Sequence, residues 1–188
     1  MQNKKRLFIG LPVRANISGL VEMLKTTVTD VNYVHWIPGR KLHLTLAFIG
    51  DLDSSKAEYL IKKISKIDFK YQFDLSLEHT GMFMHTDGAP KIFWLGINRG
   101  LDKIIELQKL VSNLLHSCDV LFDDRKFIPH ITLGRIKNDG KSNKINSEMY
   151  LNAVFSPIRF RVKSFHLYSS ELLQQGVKYN SLAEVKLI

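Results

Sequence analysis

Two short segments of the sequence repeat one pair of reactive side chains. HLTL at 43–46 and HITL at 130–133 each place a histidine two residues before a threonine. Both segments lie in apolar runs that predict β-strands, and side chains two residues apart in a strand point to the same face. Each strand is therefore expected to present a histidine and a threonine on one face and to pack its leucine and isoleucine positions on the other.

A pair of histidines suits general acid and base catalysis. Unperturbed imidazole has a pKa of about 6.5, so near neutral pH one ring can accept a proton while the other donates one. The hydroxyls of Thr45 and Thr132 can hold the oxygen atoms of a phosphate between the rings. One strand histidine alone is more often structural, but the recurrence of the pattern at His43 and His130 favours a shared catalytic site.

Metal binding and nucleophilic catalysis fit the sequence less well. Zinc is typically bound by three or four His, Cys or carboxylate ligands, whereas each motif offers one histidine with no acidic neighbour at ligand spacing. Cys118, the single cysteine, follows the end of a predicted helix and has no local nucleophile signature. We therefore expect a site without a metal and without a cofactor.

Apolar periodicity predicts alternating strands and helices that position the two motifs. Besides the motif strands, predicted strands cover residues 6–11, 71–83, 91–98, 158–172 and about 178–188. Predicted helices cover residues 17–30, 54–67 and 101–117. The polar stretch at 138–148 is predicted to be a surface loop.

The element order repeats along the chain. At an offset of 86 residues KRLFIGL at 5–11 aligns with KIFWLGI at 91–97, and at an offset of 87 the two HxTx motifs align. We interpret residues 1–188 as a single domain with repeat-related halves at about 5–82 and 91–169, followed by the final strand. A pseudo-twofold axis between such halves would bring both motifs to one cleft.

Composition limits the partners and the compartment. The chain has 27 Lys and Arg against 18 Asp and Glu, a formal charge of +9, which makes a polyanion a reasonable partner. One cysteine allows no intramolecular disulfide, and no segment has the signature of a membrane span or a secretory signal. We expect a cytoplasmic monomer that binds no membrane.

The two tetrads and their surroundings resemble the two-histidine (2H) phosphoesterases. Within that superfamily the chain is similar to the RNA 2′,3′-cyclic phosphodiesterases once called 2′-5′ RNA ligases. The similar segments follow one another along nearly the whole chain: RLFIGL, WIPGRKLHLTLAFIGDL, IFWLGI, DRKFIPHITLGRIK and LYSSEL.

The resemblance implies a fold and a reaction. The expected fold is a bilobal α+β domain, a pseudo-twofold duplication in which two antiparallel β-sheets face a central cleft and helices lie outside. The expected reaction is metal-independent hydrolysis of an RNA 2′,3′-cyclic phosphate end to a 2′-phosphomonoester. The reverse reaction would join a 5′-hydroxyl to the cyclic end as a 2′-5′ linkage.

The resemblance also assigns roles to residues. His43 would protonate the departing 3′ oxygen, His130 would activate water, and Thr45 and Thr132 would hold the phosphate oxygens. Arg135, in the TLxR pattern, would add a cation to the phosphate. Strict strand alternation points Arg135 away from the cleft, so this role requires a bulge near Gly134.

By the same alternation Phe48 is predicted to lie in the core. His79 and His166 align with each other but lack the threonine, so they are interpreted as structural or strand-surface residues.

Two other function classes stay open. One is a related 2H enzyme that acts on 2′-5′ oligoadenylate or on a cyclic phosphate of ADP-ribose. The other is a non-catalytic RNA- or nucleotide-binding module on the same fold, which would tolerate the loss of one histidine. Both tetrads are intact, which favours the enzyme.

Overall fold

The computed structural model describes residues 4–29, 31–69, 71–136, 145–174 and 176–188. Its strands are β1 Lys4–Pro12, β2 Val34–Trp36, β3 His43–Asp53, β4 Phe73–Met84, β5 Pro90–Ile97, β6 His130–Ile136, β7 Ile158–Val162, β8 Ser164–Leu173 and β9 Gly176–Lys186. Its helices are α1 Ser18–Thr26, α2 Ser54–Ile64, α3 Leu101–Ser117 and α4 Glu148–Leu151, with 3-10 turns at Val31–Tyr33 and Gly39–Lys41. All predicted strands and helices are present, which confirms the α+β class.

Three local differences separate these elements from the predicted ones. The predicted strand at 158–172 is divided at Lys163 into β7 and β8. The sequence pattern does not predict β2 or α4, because three or four residues are too short to show a periodicity. Most of the predicted loop at 138–148 lies outside the described residues. The last residue of that predicted loop, Glu148, is the first residue of α4.

Within the described part of the chain, nine strands form one antiparallel sheet in the order β7-β4-β5-β6-β3-β1-β8-β9, with β2 paired to β6. The order is symmetric about its centre, where the motif strands β6 and β3 are neighbours. On the outer side of β6 lies β5, and on the outer side of β3 lies β1; β5 and β1 are the first strands of the two predicted halves. The strands β4 and β8 are exchanged, so β4 pairs with β5 and β8 with β1. Through this exchange each predicted half contributes one strand to the sheet of the other. The division into halves at 5–82 and 91–169 remains a prediction.

The two half-sheets meet where the motif strands touch. The β3–β6 ladder consists of the single antiparallel pair Leu44↔Ile131, in agreement with a bilobal shape. Helices α2 and α3 pack on the face of the sheet that carries these two side chains. Four residues of α3 at helical spacing are fully buried there, namely Ile104, Leu107, Val111 and Leu115. Apolar burial against the helices thus fixes which face of each motif strand remains open.

Both motif strands contain a β-bulge at the same place. Leu46 is skipped in the register of β3 with β1, and Leu133 is skipped in the register of β6 with β5. Two consecutive buried residues follow each threonine as a result. A bulge shifts the alternation by one residue, so the next side chain emerges on the face that carries the histidine and threonine.

The side chains that emerge after the bulges are Arg135 and Phe48. Arg135 is exposed, as its predicted role requires. The prediction that Phe48 lies in the core is wrong: its side chain is 39% exposed, and the Arg6 guanidinium lies 5.2 Å from the centre of its ring. The strict alternation behind that prediction holds only up to the bulge.

Candidate active site

The pairing of the motif strands brings the four motif side chains together. Because an antiparallel ladder pairs position i+1 with j−1, the pair Leu44↔Ile131 places His43 beside Thr132 and Thr45 beside His130. Leu44 and Ile131 are 1% and 0% exposed on the helix side, whereas the histidines and threonines are half-buried on the open side. Two histidines and two hydroxyls therefore surround one small area of the sheet.

Each histidine ring is oriented by the backbone two residues before it. The Nδ1 atom of His43 lies 2.8 Å from the carbonyl oxygen of Lys41, and Nδ1 of His130 lies 2.7 Å from that of Ile128. A carbonyl oxygen only accepts hydrogen bonds, so Nδ1 carries a proton in both rings. The Nε2 atom is then the one that gains or loses a proton, which suits both a general acid and a general base.

Aromatic side chains hold the two rings in place. His43 packs on Phe8 at 4.8 Å between ring centres and edge-on against Tyr179 at 5.2 Å. His130 packs edge-on against Phe83 at 4.9 Å and lies 6.2 Å from Trp94. These contacts restrict the ring rotamers, as precise proton transfer requires.

Burial lowers the pKa of both histidines. For His43, the loss of solvent is the largest cause, the charges of Arg135 and His130 act in the same direction, and the hydrogen bond to Lys41 opposes them. For His130, burial again dominates, Arg135 adds to it, and the hydrogen bond to Ile128 opposes both. Without a bound anion, both rings are therefore neutral near pH 7.

Arg135 lies within electrostatic reach of the whole site. Its charge adds to the burial that lowers the pKa of His43 and of His130, and it opposes the burial that raises the pKa of Tyr179. The two motif threonines have hydroxyls that make no side-chain hydrogen bond to any described residue. The site thus combines an exposed cation with two available hydroxyl donors, a set suited to a phosphate.

A cavity of about 440 Å³ opens beside His43, and the sequence pattern did not predict it. It lies between the 3-10 turn Gly39–Lys41 and the β8–β9 hairpin, and its walls include Phe8, Tyr168 and Tyr179. Basic residues at its edge are Arg40, Lys41 and Lys178. The volume lies within the range of pockets that bind small molecules.

The remaining aligned histidines lie outside this group. His166 is buried and forms hydrogen bonds with Ser164 Oγ at 3.2 Å and Ser181 Oγ at 2.9 Å. His79 packs edge-on against Trp94, and its ring covers Gly96. Among the described residues, no three His, Cys, Asp or Glu side chains cluster as metal ligands would.

Comparison with known proteins identifies the family. The profile of the 2′-5′ RNA ligase superfamily matches residues 14–172. The chain belongs to this superfamily. It is 32% identical over 154 residues to the RNA 2′,3′-cyclic phosphodiesterase of Thermotoga maritima, covering 79% of this chain and 77% of that protein. It is 28% identical over 185 residues to the RNA 2′,3′-cyclic phosphodiesterase of Aquifex aeolicus, covering 97% of both chains.

Solved structures share the fold of this superfamily member. Escherichia coli LigT, crystallised with 3′-AMP, superposes with a TM-score of 0.76 at 22% identity over 98% of this chain and 99% of LigT. A Thermus thermophilus protein superposes with a TM-score of 0.72 at 22% identity over 97% of both chains. The family resemblance and the bilobal α+β fold predicted from the sequence are both confirmed. No helix among the described residues is long and apolar enough to cross a membrane.

Proposed function

We propose that this protein hydrolyses RNA 2′,3′-cyclic phosphate ends to 2′-phosphomonoesters, without a metal, by acid and base catalysis between His43 and His130. The observation that carries the proposal is the pair Leu44↔Ile131, which gathers both histidines and both threonines around one point. The superfamily match and the names of the curated relatives support the substrate class.

The proposed chemistry begins with the cyclic phosphate between the two rings. Nε2 of neutral His130 removes a proton from water, and the water oxygen attacks phosphorus. The bond between phosphorus and the 3′ oxygen breaks, and His43 delivers a proton from Nε2 to that oxygen. The 2′-phosphomonoester remains.

Donors at the site stabilise the charge that develops on the phosphate. We assign this role to the hydroxyls of Thr45 and Thr132 and to the guanidinium of Arg135, which face the non-bridging oxygens. The phosphate anion also favours the imidazolium form, so substrate binding raises the lowered pKa of His43 and loads the acid with its proton.

The charges around the site support His43 as the acid. Just before Leu42 and His43 the chain has two basic residues, Arg40 and Lys41. The repeat-related positions on the His130 side hold two apolar residues, Phe127 and Ile128. A polyanion therefore extends more favourably on the His43 side. The leaving 3′ oxygen belongs to that polyanion, and the attacking water enters from the opposite side.

The segment before His130 does contain basic residues, but acidic ones accompany them. Arg125 donates from Nε to Asp123 Oδ1 at 2.8 Å, and Lys126 follows a second aspartate, Asp124, by two positions. Two positive and two negative charges leave this segment close to neutral. The cationic excess thus lies on the His43 side.

The same arrangement can run in reverse. If a 5′-hydroxyl takes the place of water, His130 deprotonates it and the cyclic end is joined as a 2′-5′ linkage. We regard this ligation as a minor activity, because water is far more concentrated than any 5′-hydroxyl. One chain supplies every group of the proposed site, in agreement with the predicted monomer. A cytoplasmic location remains a prediction from the sequence.

The direct test is product analysis. The purified protein is incubated in EDTA with an RNA oligonucleotide that ends in a 2′,3′-cyclic phosphate, and the phosphate position in the product is determined by NMR. We expect the 2′-phosphomonoester from the wild type and a much slower reaction from His43→Ala and His130→Ala. A 3′-phosphomonoester, or activity that requires a divalent ion, would refute the proposal.

A further inference from the structure

The cavity beside His43 carries two cationic side chains that no internal partner explains. Arg40 is exposed on the turn before β3, and Lys178 is exposed near the start of β9. Among the described residues, neither side chain has an ion pair or a side-chain hydrogen bond. Glu171 lies opposite Lys178 in the β8–β9 register, but its carboxylate accepts from Asn180 Nδ2 at 2.9 Å instead. Two segments far apart in sequence thus present unpaired positive charge at the edge of one cavity.

The third basic residue of the cavity has a different task. Lys41 donates from Nζ to the carbonyl oxygen of Val177 at 2.6 Å, which ties the turn before β3 to the β8–β9 hairpin. This bond holds Lys178, the residue after Val177, close to the turn that carries Arg40. Lys41 is therefore a positioning residue for the two exposed cations.

The internal repeat shows that the fold itself does not demand cations here. Arg40 and Lys41 align with Phe127 and Ile128, which precede the other motif strand in the same way. Both histidines nevertheless bond to the equivalent backbone carbonyls. Since apolar residues at the equivalent positions support the same histidine–carbonyl bond, the positive charge beside His43 points to a ligand rather than to the orientation of the ring.

We infer that Arg40 and Lys178 bind the phosphate that links the terminal nucleotide of the RNA to the preceding one. This inference rests on the proposed function, with the cyclic phosphate at the histidines. The terminal nucleoside occupies the cavity, where its base packs against Tyr179. The ring of Tyr168 is already stacked with Phe8 at 5.0 Å and with His166 at 5.2 Å, so it supports this wall rather than offering a free face. Aromatic faces accept every base, so the cavity selects for a 5′ phosphate and not for a base.

This assignment predicts a substrate preference. The guanidinium of Arg40 and the ammonium of Lys178 would both contact one phosphate, and charge-assisted hydrogen bonds of this kind strengthen binding. A nucleoside 2′,3′-cyclic phosphate that carries a 5′-phosphate should therefore be a better substrate than the same compound with a 5′-hydroxyl. An oligonucleotide with a cyclic end should share the advantage, because its terminal nucleotide carries the same phosphate as a diester.

The experiment measures the ratio of kcat/KM between the 5′-phosphorylated and the 5′-hydroxyl cyclic nucleotide. We expect a ratio of about 10 or more in the wild type, and a fall toward one in Arg40→Gln and in Lys178→Gln. Lys109→Gln, which removes an equal charge from the exposed side of α3, should keep the wild-type ratio. Thermal melting verifies that each variant is folded, and calorimetric binding of a nucleoside 2′,5′-bisphosphate provides a second readout that does not depend on turnover.

Each outcome decides the inference. A wild-type ratio near one, or variants that lower kcat/KM for both substrates by the same factor, would overturn it while leaving the proposed function intact. A wild type that hydrolyses neither substrate and also leaves the cyclic-ended oligonucleotide intact would overturn the proposed function, whereas a wild type that hydrolyses the oligonucleotide alone would overturn only the inference that one 5′-phosphate completes the subsite.

Discussion

At the scale of single residues, the proposed mechanism depends on which of two similar histidines carries a proton. Both rings donate from Nδ1 to a carbonyl and both have a lowered pKa, so the local structure treats them almost alike. The difference arises from their surroundings, with cations beside His43 and apolar residues beside His130. In the proposed mechanism a bound phosphate completes the distinction, because it stabilises an imidazolium on the side of the leaving oxygen.

Replacement of either histidine by alanine should reduce turnover by roughly 10² to 10⁴, the range for one positioned proton transfer. Binding of a 2′-phosphate product should weaken much less, since Thr45, Thr132 and Arg135 remain. The double variant should lose far less than the product of the two single losses, because both groups act in one step. Steady-state kinetics of the three variants measure this, and strictly multiplicative losses would contradict a concerted pair.

Arg135→Gln should change the pH profile in a defined direction. The guanidinium lowers the pKa of both histidines, so its removal raises them. Since kcat/KM reports the free enzyme, both limbs of its bell-shaped profile should move to higher pH, with apparent values that belong to the pair. A kcat/KM profile that keeps its limbs, or moves them to lower pH, would show that Arg135 does not face the histidines.

At the scale of elements, the two bulges decide what the site contains. Period-two alternation predicts the strands and the common face of each His and Thr, because these features depend only on neighbouring residues. It fails at Phe48 and leaves Arg135 undecided, because a bulge is set by pairing with β1 or β5, which are distant in sequence. The cavity beside His43 is unpredictable for the same reason, since it forms between a turn and a hairpin more than a hundred residues apart.

Gly134→Ala tests whether the bulge in β6 is tightly packed. A Cβ atom at this position would lie 2.7 Å from Val34 Cγ1 and 3.1 Å from Trp36 Cε3, so β2 would have to move. We expect a loss of about 1–3 kcal/mol in the free energy of unfolding, the usual cost of overpacking. Denaturant titration measures it against Gly39→Ala, where a Cβ meets no atom within 4 Å. Equal stability of the two variants would contradict the close packing of β2 on the bulge.

At the scale of the whole molecule, the excess of positive charge matches a substrate made of phosphates. The sequence predicts this from composition, and the repeat predicts two motifs in one cleft. Neither the composition nor the repeat indicates on which side of the cleft the RNA would extend. That asymmetry becomes visible only when the strand order places the basic turn before β3 and the β8–β9 hairpin on the same side of the site.

Binding of RNA should therefore depend steeply on salt. For a single-stranded oligonucleotide with a 2′-phosphate end, the logarithm of the binding constant should fall linearly with the logarithm of salt concentration, by about 0.7 for each phosphate contacted. Arg40→Gln or Lys178→Gln should flatten the slope, and Lys109→Gln should not. Fluorescence anisotropy at several salt concentrations measures the slopes, and a wild-type slope no steeper than that of one contact would mean that the chain holds the terminal phosphate alone.

The division of labour between the two histidines is tested most directly with a leaving group that needs no proton. A cyclic end in which sulfur replaces the bridging 3′ oxygen provides it, because a thiolate departs without protonation near neutral pH. On this substrate His43→Ala should recover much of its lost single-turnover rate relative to the oxygen substrate, and His130→Ala should stay slow. Equal recovery in both variants would contradict separate acid and base roles, and recovery in His130→Ala alone would show that the roles are reversed.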